Sequence, residues 1–212
     1  MARPDLSACR LYAILDLGYV APAQAESVLA ALLKGGVDLV QLRGKKQTPA
    51  ELGSIARRLL PLTRTAGVPL ILNDHPQVAR DVDCDGVHVG QDDLAVAEAR
   101  TIAGSEMLVG KSTHSLSQAI AAAEEGADYI GFGPLFATPT KPEYAPIGLA
   151  EIAEVHARVR IPIFCIGGIK LANLAEVIRA GARRVVIVSG LLQAADAAEY
   201  ARAARRLLAD SP

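Results

Sequence analysis

The sequence predicts a single (β/α)₈ TIM-barrel domain over residues 1–212. Short β-rich runs alternate with Ala/Leu-rich stretches of helical period along the whole chain, which is the pattern of βα units around a parallel sheet. Eight such units can be counted, and 212 residues lie near the lower end of the range for this barrel. A doubly wound open sheet is the alternative, but it would normally need fewer strands, and no Gly-x-Gly-x-x-Gly follows the first strand.

The strands are predicted from the apolar, β-branched runs. They cover Arg10 to Leu15, Leu39 to Arg43, Leu70 to Asn73, Gly86 to Val89, Leu108 to Ser112, Tyr129 to Gly133, Pro162 to Ile166 and Val185 to Val188. Helices are predicted where apolar residues recur with a period near 3.6. The longer ones cover Ala23 to Lys34, Pro49 to Ala66, Leu116 to Glu125, Leu171 to Ala180 and Ala194 to Leu208, and the helical segments after the third and fourth strands are brief.

A weak repeat precedes four of the strands. It reads Gly35-Gly-Val-Asp, Asp85-Gly-Val-His, Gly126-Ala-Asp-Tyr and Gly181-Ala-Arg-Arg. Glycine ends helices readily because it adopts the left-handed conformation without strain. We therefore expect each of these glycines to end a helix and to turn the chain into the next strand.

The composition limits which kinds of binding partner and which cellular location are expected. The net charge is -1, from 22 basic and 23 acidic residues without a long run of one sign, so nothing favours nucleic acid or a membrane surface as a partner. No apolar stretch is long enough to span a bilayer, and the N-terminus lacks the apolar segment of a secretory signal. We expect a cytoplasmic protein with small-molecule substrates, compatible with a homo-oligomer, and with reduced, structural thiols at Cys9, Cys84 and Cys165.

Polar residues collect where the predicted strands end. In a (β/α)₈ barrel the C-terminal strand ends open onto one face, and active sites are built there. Asn73-Asp74 ends the third run, and Asp92-Asp93 follows the fourth. These residues could serve in turns and as helix caps, or their side-chain oxygens could bind a hard divalent cation such as Mg²⁺.

Two anion sites are predicted on the same face. Gly167-Gly168 and Ser189-Gly190 follow the last two strands ahead of helices, where backbone N–H groups favour a phosphate. The second site is built from side chains of two strand ends. It comprises Gln41, Arg43, Lys45, Thr138, Thr140 and Lys141.

Arg43 ends an apolar run, and an inward-facing guanidinium needs a partner, which an incoming diphosphate would supply. Two unit negative charges about 4 Å apart repel by roughly 4 kcal/mol at an effective dielectric near 20, so the carboxylates of Asp74 and Asp93 could face a diphosphate only with a metal between them. Among the histidines, His88 and His156 are expected to be structural, whereas His75 and His114 are expected at the functional face.

These residues resemble the thiamine phosphate synthase family over nearly the whole chain. The matching motifs are Val40-Gln-Leu-Arg-Gly-Lys45, Leu72-Asn-Asp74, Gly86-Val-His-Val-Gly-Gln-Asp-Asp93, Gly110-Lys-Ser-Thr-His114, Ala127-Asp-Tyr-Ile-Gly-Phe-Gly-Pro-Leu-Phe-Ala-Thr-Pro-Thr-Lys141 and Ile166-Gly-Gly-Ile169. The resemblance implies a transferase that joins 4-amino-5-hydroxymethyl-2-methylpyrimidine diphosphate to 4-methyl-5-(2-phosphoethyl)thiazole through a carbocation. Thiamine phosphate and diphosphate are the implied products.

The resemblance also implies roles for individual residues. Gln41, Arg43, Lys45 and Asn73 would hold the pyrimidine diphosphate, with Ser112 and Lys141 also at the diphosphate. Thr138, Thr140, Gly168, Val188 and Ser189 would hold the thiazole phosphate. Asp74 and Asp93 would bind Mg²⁺, while Arg43, Lys45, Ser112 and Lys141 would be the catalytic residues. The connection over residues 134–147 is expected to form an active-site loop.

Two alternatives stay open. Ser189-Gly190 stands where Ser-Ala is more usual, and with the Ser112-Thr-His114 loop it is similar to a related thiazole tautomerase that uses a histidine for proton transfer. Asn73-Asp74 and Asp93 favour the synthase, because the tautomerase is understood to lack the metal-binding carboxylates. The other alternative is a non-catalytic barrel that binds a thiamine precursor.

Overall fold

Eight short strands alternate with helices along the chain, and the computed structural model describes residues 3–138 and 145–209. The strands are β1 (Leu11–Asp16), β2 (Leu39–Arg43), β3 (Leu70–Asn73), β4 (Gly86–Val89), β5 (Leu108–Thr113), β6 (Tyr129–Phe132), β7 (Ile163–Cys165) and β8 (Val185–Ile187). Each pairs in parallel with the next, and β8 also pairs with β1, so the sheet closes into a barrel. The prediction of a TIM barrel is confirmed.

The helices surround this barrel. They are α1 (Ala25–Lys34), α2 (Pro49–Ala66), α3 (Pro76–Asp81), α4 (Val96–Ala103), α5 (Leu116–Glu124), α6 (Ile152–Arg158), α7 (Leu171–Arg179), α8 (Ser189–Leu192) and α9 (Ala197–Ala209). The longest, α2, shows why the predicted bounds held. Thr48 and Glu51 cap its start reciprocally, and Gly67 ends it at φ 67°. No helix within the described ranges is both long and apolar enough to cross a membrane.

Two apolar clusters divide the core. The larger lies between the sheet and the helices, and the smaller fills the barrel interior with residues such as Tyr12, Tyr129 and Phe164. The barrel is therefore filled at its centre by side chains. Cys9, Cys84 and Cys165 are free and buried, as expected.

The four motifs that precede strands do not all end a helix with a left-handed glycine, contrary to the prediction. Gly126 (φ 86°) and Gly181 (φ 107°) are left-handed as expected, but in the first motif the left-handed residue is Gly36 rather than Gly35. Before the second motif, the left-handed residue is Asp83, at φ 61°. Gly86 instead begins β4, where an added Cβ would lie 2.6 Å from the Leu108 carbonyl oxygen.

Three aspartates of the repeat have a role that the sequence did not reveal. Asp38, Asp85 and Asp128 directly precede or lead into β2, β4 and β6. Their carboxylates accept hydrogen bonds from the backbone N–H groups of Leu11 (2.9 Å), Leu70 (2.8 Å) and Val109 (2.7 Å), respectively. We call Asp38, Asp85 and Asp128 the strand-start carboxylates. Each ties an odd-numbered strand to the chain that enters the next one.

One further prediction needs correction. Ser189-Gly190 does not lead directly into the last long helix, because Ser189 itself begins the four-residue helix α8 and the long helix α9 starts only at Ala197. The connection over residues 134–147 is described at both ends only. Leu135 donates its N–H to the Ile166 carbonyl (2.8 Å) and Ile147 donates to that of Pro134 (2.8 Å), so both described ends are fixed at the barrel.

Candidate active site

A pocket opens at the C-terminal ends of the strands and encloses about 890 Å³, including its open mouth. Most of the residues predicted for substrate binding line it. They are Gln41, Arg43, Asn73, Ser112, Thr138, Gly168, Val188 and Ser189. Thr140 and Lys141 lie outside the described residues. Side chains far apart in sequence thus meet at one place because the barrel brings their strand ends together.

Arg43 enters this pocket with a partner already present. Its guanidinium forms a salt bridge with Asp16, whose Cα pairs with that of Arg43 between β1 and β2. Asp16 is only 3% exposed, and it also accepts a hydrogen bond from the Gly18 N–H (2.8 Å). The expectation that an incoming diphosphate would supply the partner of Arg43 omitted Asp16, which already holds the guanidinium in place.

Lys45, Asp74 and Asp93 meet beside Asn73, next to the pocket. The Lys45 ammonium contacts the Asp74 carboxylate, and Asp74 adopts the left-handed conformation at φ 63°. Burial raises the pKa of Asp74, Lys45 lowers it, and a side-chain hydrogen bond with Asp93 raises it again. The Asp93 carboxylate also accepts a hydrogen bond from the Gly90 N–H (2.8 Å).

This pair of carboxylates fits a hard cation that keeps water or substrate oxygens in its remaining positions. No group of three or more His, Cys, Asp or Glu side chains that could hold a metal occurs within residues 3–138 and 145–209.

Glycines shape the opposite side of the pocket. Gly167 (φ 99°) and Gly168 (φ 67°) pass so close to the chain after β6 that a Cβ on Gly167 would lie 2.4 Å from the Pro134 Cα atom. Within the described parts of the chain, the backbone N–H groups of Gly168 and Ser189 donate no hydrogen bond. Two backbone donors at the pocket wall are thus available to an anion.

The structure also explains Gly190. The Tyr200 hydroxyl accepts a hydrogen bond from the Leu171 N–H (2.9 Å) at the start of α7. A Cβ on Gly190 would lie 2.5 Å from that hydroxyl oxygen. A side chain after Ser189 would displace the tyrosine hydroxyl that holds α7, so glycine there has a structural explanation and is not by itself a sign of different chemistry.

Comparison with known proteins agrees with this geometry. The family model described as thiamine monophosphate synthase matches residues 11–191, which is most of the chain. The chain belongs to the thiamine monophosphate synthase family. The matched segment contains every strand of the barrel and all of the predicted site residues.

Two relatives and one solved structure match over most of their own lengths. A protein of Chloroflexus aurantiacus named thiamine-phosphate synthase is 47% identical over 200 residues, covering 94% of this chain and 92% of the relative. One of Thermus thermophilus with the same name is 45% identical over 177 residues, covering 83% and 85%. The solved thiamine phosphate pyrophosphorylase of Pyrococcus furiosus superposes with a TM-score of 0.87 at 30% identity, covering 95% of this chain and 96% of that one.

The histidines are placed partly as predicted. His114 lines the pocket, and its Nδ1 atom contacts the Gly133 carbonyl. His88, expected to be structural, lines the pocket as well and bonds to Ser112 through Nε2 (3.0 Å). His75 precedes α3 and makes no side-chain cap there, while the half-buried His156 lies on α6 and has a pKa lowered to about 4, mainly by burial.

Lys111 is a site residue that the sequence reasoning missed. It is only 7% exposed, and its ammonium donates to the carbonyls of Gly90 (2.7 Å) and Leu94 (3.3 Å), which flank Asp92 and Asp93. A lysine in the middle of a predicted barrel strand was a signal for such a contact, since a buried ammonium must find acceptors. Lys111 thereby fixes the loop that carries the proposed metal ligand Asp93.

Proposed function

We propose that this protein is a thiamine phosphate synthase. It joins 4-amino-5-hydroxymethyl-2-methylpyrimidine diphosphate to 4-methyl-5-(2-phosphoethyl)thiazole, and it releases diphosphate and thiamine phosphate. The observation that carries this proposal is one pocket with cations at one side and a glycine-built wall at the other. Arg43 lines the cationic side and Lys45 lies next to it, while Gly168 and Ser189 form the other wall. A diphosphate and a monophosphate need two such sites. The names of the relatives point to the same reaction.

The bond between the pyrimidine methylene carbon and the diphosphate oxygen breaks first, and its electron pair leaves with the diphosphate. The cation that remains is stabilised by the aminopyrimidine ring and is captured by the lone pair of the thiazole nitrogen, which forms the new C–N bond. Arg43, Lys45 and Lys141 would stabilise the negative charge that develops on the leaving group, an electrostatic contribution that is usually the largest in catalysis.

Substrate positions follow from the lining of the pocket. Gln41, Asn73 and Ser112 would bind the pyrimidine substrate near the centre of the barrel. Thr138, Thr140, Gly168, Val188 and Ser189 would bind the thiazole phosphate at the opposite side. Pro134 and Thr138, in the first part of the connection over residues 134–147, line the pocket. That connection would keep water from reaching the cation.

Asp74 and Asp93 would hold Mg²⁺, which when bound supplies a Lewis acid for the diphosphate oxygens. The adjacent carboxylates, with the pKa of Asp74 raised by burial, support this assignment. Lys45, in contact with Asp74, would orient that carboxylate and then meet the diphosphate.

The direct test is an assay of the purified protein with both substrates, with and without Mg²⁺. Thiamine phosphate should form only when both substrates and Mg²⁺ are present. Replacing Lys45 by Met should lower kcat by about 10²- to 10³-fold, the usual effect of removing one donor from the transition state. Lys46→Met is the matched control, since Lys46 is the exposed neighbouring lysine, and it should keep full activity.

Because His114 lines the pocket, the same preparation should also be tested as a tautomerase. Isomerisation of the thiazole carboxylate phosphate in the presence of a chelator, without synthesis of thiamine phosphate, would replace the proposed function. Tight binding of either substrate with no product after long incubation would instead support a non-catalytic barrel.

A further inference from the structure

Five side chains form a continuous line of hydrogen bonds across the interior of the barrel. Gln41 Nε2 donates to the Tyr12 hydroxyl (2.6 Å), which lies 3.1 Å from the Tyr129 hydroxyl. That hydroxyl lies 3.2 Å from His88 Nδ1, and His88 Nε2 lies 3.0 Å from Ser112 Oγ. We call these residues the interior relay. Its two ends, Gln41 and Ser112, line the pocket from β2 and β5.

The interior relay has one direction, which follows from counting hydrogens. Burial raises the pKa of both Tyr12 and Tyr129 above the ordinary value, so each keeps its single hydroxyl hydrogen. Tyr12 accepts from Gln41, and the Tyr129 hydroxyl is the one acceptor among the described residues in reach of the Tyr12 hydrogen, so Tyr12 donates to Tyr129. The Tyr129 hydrogen then goes to His88 Nδ1. With Nδ1 accepting, the imidazole carries a hydrogen on Nε2 and donates it to Ser112.

A glycine on β5 leaves the space in which Tyr129 and His88 meet. A Cβ on Gly110 would lie 2.2 Å from Tyr129 Cζ and 2.6 Å from His88 Nδ1, so only glycine leaves room for both rings. The Tyr129 ring is also held by edge-to-face packing on Phe164, with ring centroids 5.7 Å apart at 83°. Tyr129 is fully buried and is not part of the pocket wall. It can influence a ligand only through its neighbours.

We propose that the interior relay fixes which end of the Gln41 amide meets the substrate, and so selects an aminopyrimidine over an oxopyrimidine. With Nε2 held by Tyr12, the carbonyl oxygen Oε1 is the end presented to the ligand, and it accepts a hydrogen from a ring amine. An oxo group at the same ring position offers an acceptor where Gln41 also offers one, and a buried pair of acceptors is unfavourable. Tyr12, Tyr129 and His88 are positioning residues in this scheme. The inference rests on the proposed function for the identity of the pyrimidine.

The direction of the interior relay can be tested without any substrate. Nitrogen-15 NMR of the imidazole in the ligand-free protein at neutral pH distinguishes the two neutral tautomers of His88. We expect the hydrogen on Nε2 in the wild type. A hydrogen on Nδ1 would reverse every bond in the relay and overturn the proposal.

The selectivity is tested with Tyr129→Phe, which keeps the ring and removes the hydroxyl. Tyr12 then loses its acceptor and can donate to Gln41 instead, so the amide is free to turn. We expect the ratio of kcat/KM for the 4-amino substrate to that for its 4-oxo analogue to fall by roughly tenfold to a hundredfold. Inhibition constants replace kcat/KM if the analogue is not turned over.

Phe164→Leu is the matched control, because it disturbs packing on the same tyrosine without removing a hydrogen bond. It should lower stability and leave the ratio unchanged. An unchanged ratio in Tyr129→Phe, or an equal fall in Phe164→Leu, would refute the proposal. Tyr12→Phe breaks the neighbouring link and repeats the test if Tyr129→Phe does not fold. Failure of the wild type to make thiamine phosphate would refute the proposed function instead, and the NMR result would still decide the direction of the relay.

Discussion

Replacing Asp93 by Asn should stabilise the metal-free protein while abolishing its response to Mg²⁺. In the metal-free protein, burial raises the pKa of Asp74, and the negative charge of Asp93 raises it further, so removing that charge relieves a repulsion. Two unit charges about 4 Å apart repel by about 1 kcal/mol in water and about 4 kcal/mol at an effective dielectric near 20. Asp93 is exposed, so the lower figure applies. For a chain of 212 residues it corresponds to a rise in Tm of roughly 2–4 °C.

The wild type should gain much more when Mg²⁺ and inorganic diphosphate are added. A ligand at about a hundred times its Kd stabilises the folded state by about 2.7 kcal/mol, or roughly 5–11 °C for a domain of this size. Asp93→Asn removes one of the two carboxylates and should lose nearly all of this shift.

Thermal unfolding of both proteins, with and without Mg²⁺ and diphosphate, measures these effects. Asp92→Asn is the matched control, since it removes the same charge from the neighbouring exposed residue. It should keep the shift. A shift of equal size in Asp93→Asn, or its loss in Asp92→Asn, would refute the assignment of Asp93 as the ligand.

Three other variants test neighbouring parts of the structure. Lys111→Met removes the ammonium that holds the Asp93 loop, and it should raise the Mg²⁺ concentration for half-maximal activity by about tenfold or more. Asp16→Asn leaves the Arg43 guanidinium without its carboxylate and should lower the free energy of unfolding, measured in urea, by about 3–5 kcal/mol. Because burial lowers the pKa of His156 from 6.5 to about 4, the unfolded chain takes up the proton first, and stability is lost as the pH falls through this window. His156→Gln should remove about 1–2 kcal/mol of that dependence, a figure reduced for partial exposure.

Each of these variants has an outcome that contradicts its reasoning. For Lys111→Met it is an unchanged Mg²⁺ requirement together with unchanged thermal stability. For Asp16→Asn it is a loss of unfolding free energy no greater than that of the double variant Asp16→Asn/Arg43→Met. The double variant is the reference because it leaves no unpaired buried charge. For His156→Gln it is a pH dependence of unfolding identical to that of the wild type.

The barrel could be predicted from the sequence because its signals are local. Apolar runs mark the strands, and Thr48 with Glu51 marks the start of α2 within four residues of chain. The strand ends also predicted the pocket, since a parallel barrel places all of them on one face. Gln41 and Asn73 were found in this way from their places at strand ends, whereas the role of Ser112 came from the family resemblance.

The contacts that were missed join residues far apart in the chain. Asp16 meets Arg43 only through the register of β1 and β2, and Tyr12 bonds to Tyr129 across 117 residues. Which side chains of two strands point to the same interior layer depends on strand stagger, which no local pattern records. Lys111 shows the same limit, because its acceptors are backbone carbonyls and carry no mark in the sequence.

The strand-start carboxylates bear on how freely this protein can evolve. Each strand-start carboxylate accepts a hydrogen bond from a backbone N–H group. Every amino acid except proline has this N–H, so the hydrogen bond does not depend on the side chain of the donor residue. Substitutions at Leu11, Leu70 or Val109 can therefore alter packing without removing the tie. These ties lie at the starts of strands, whereas the pocket lies at the opposite strand ends. Mutational change that explores new substrates at one face of the barrel thus leaves untouched the hydrogen bonds that secure the other.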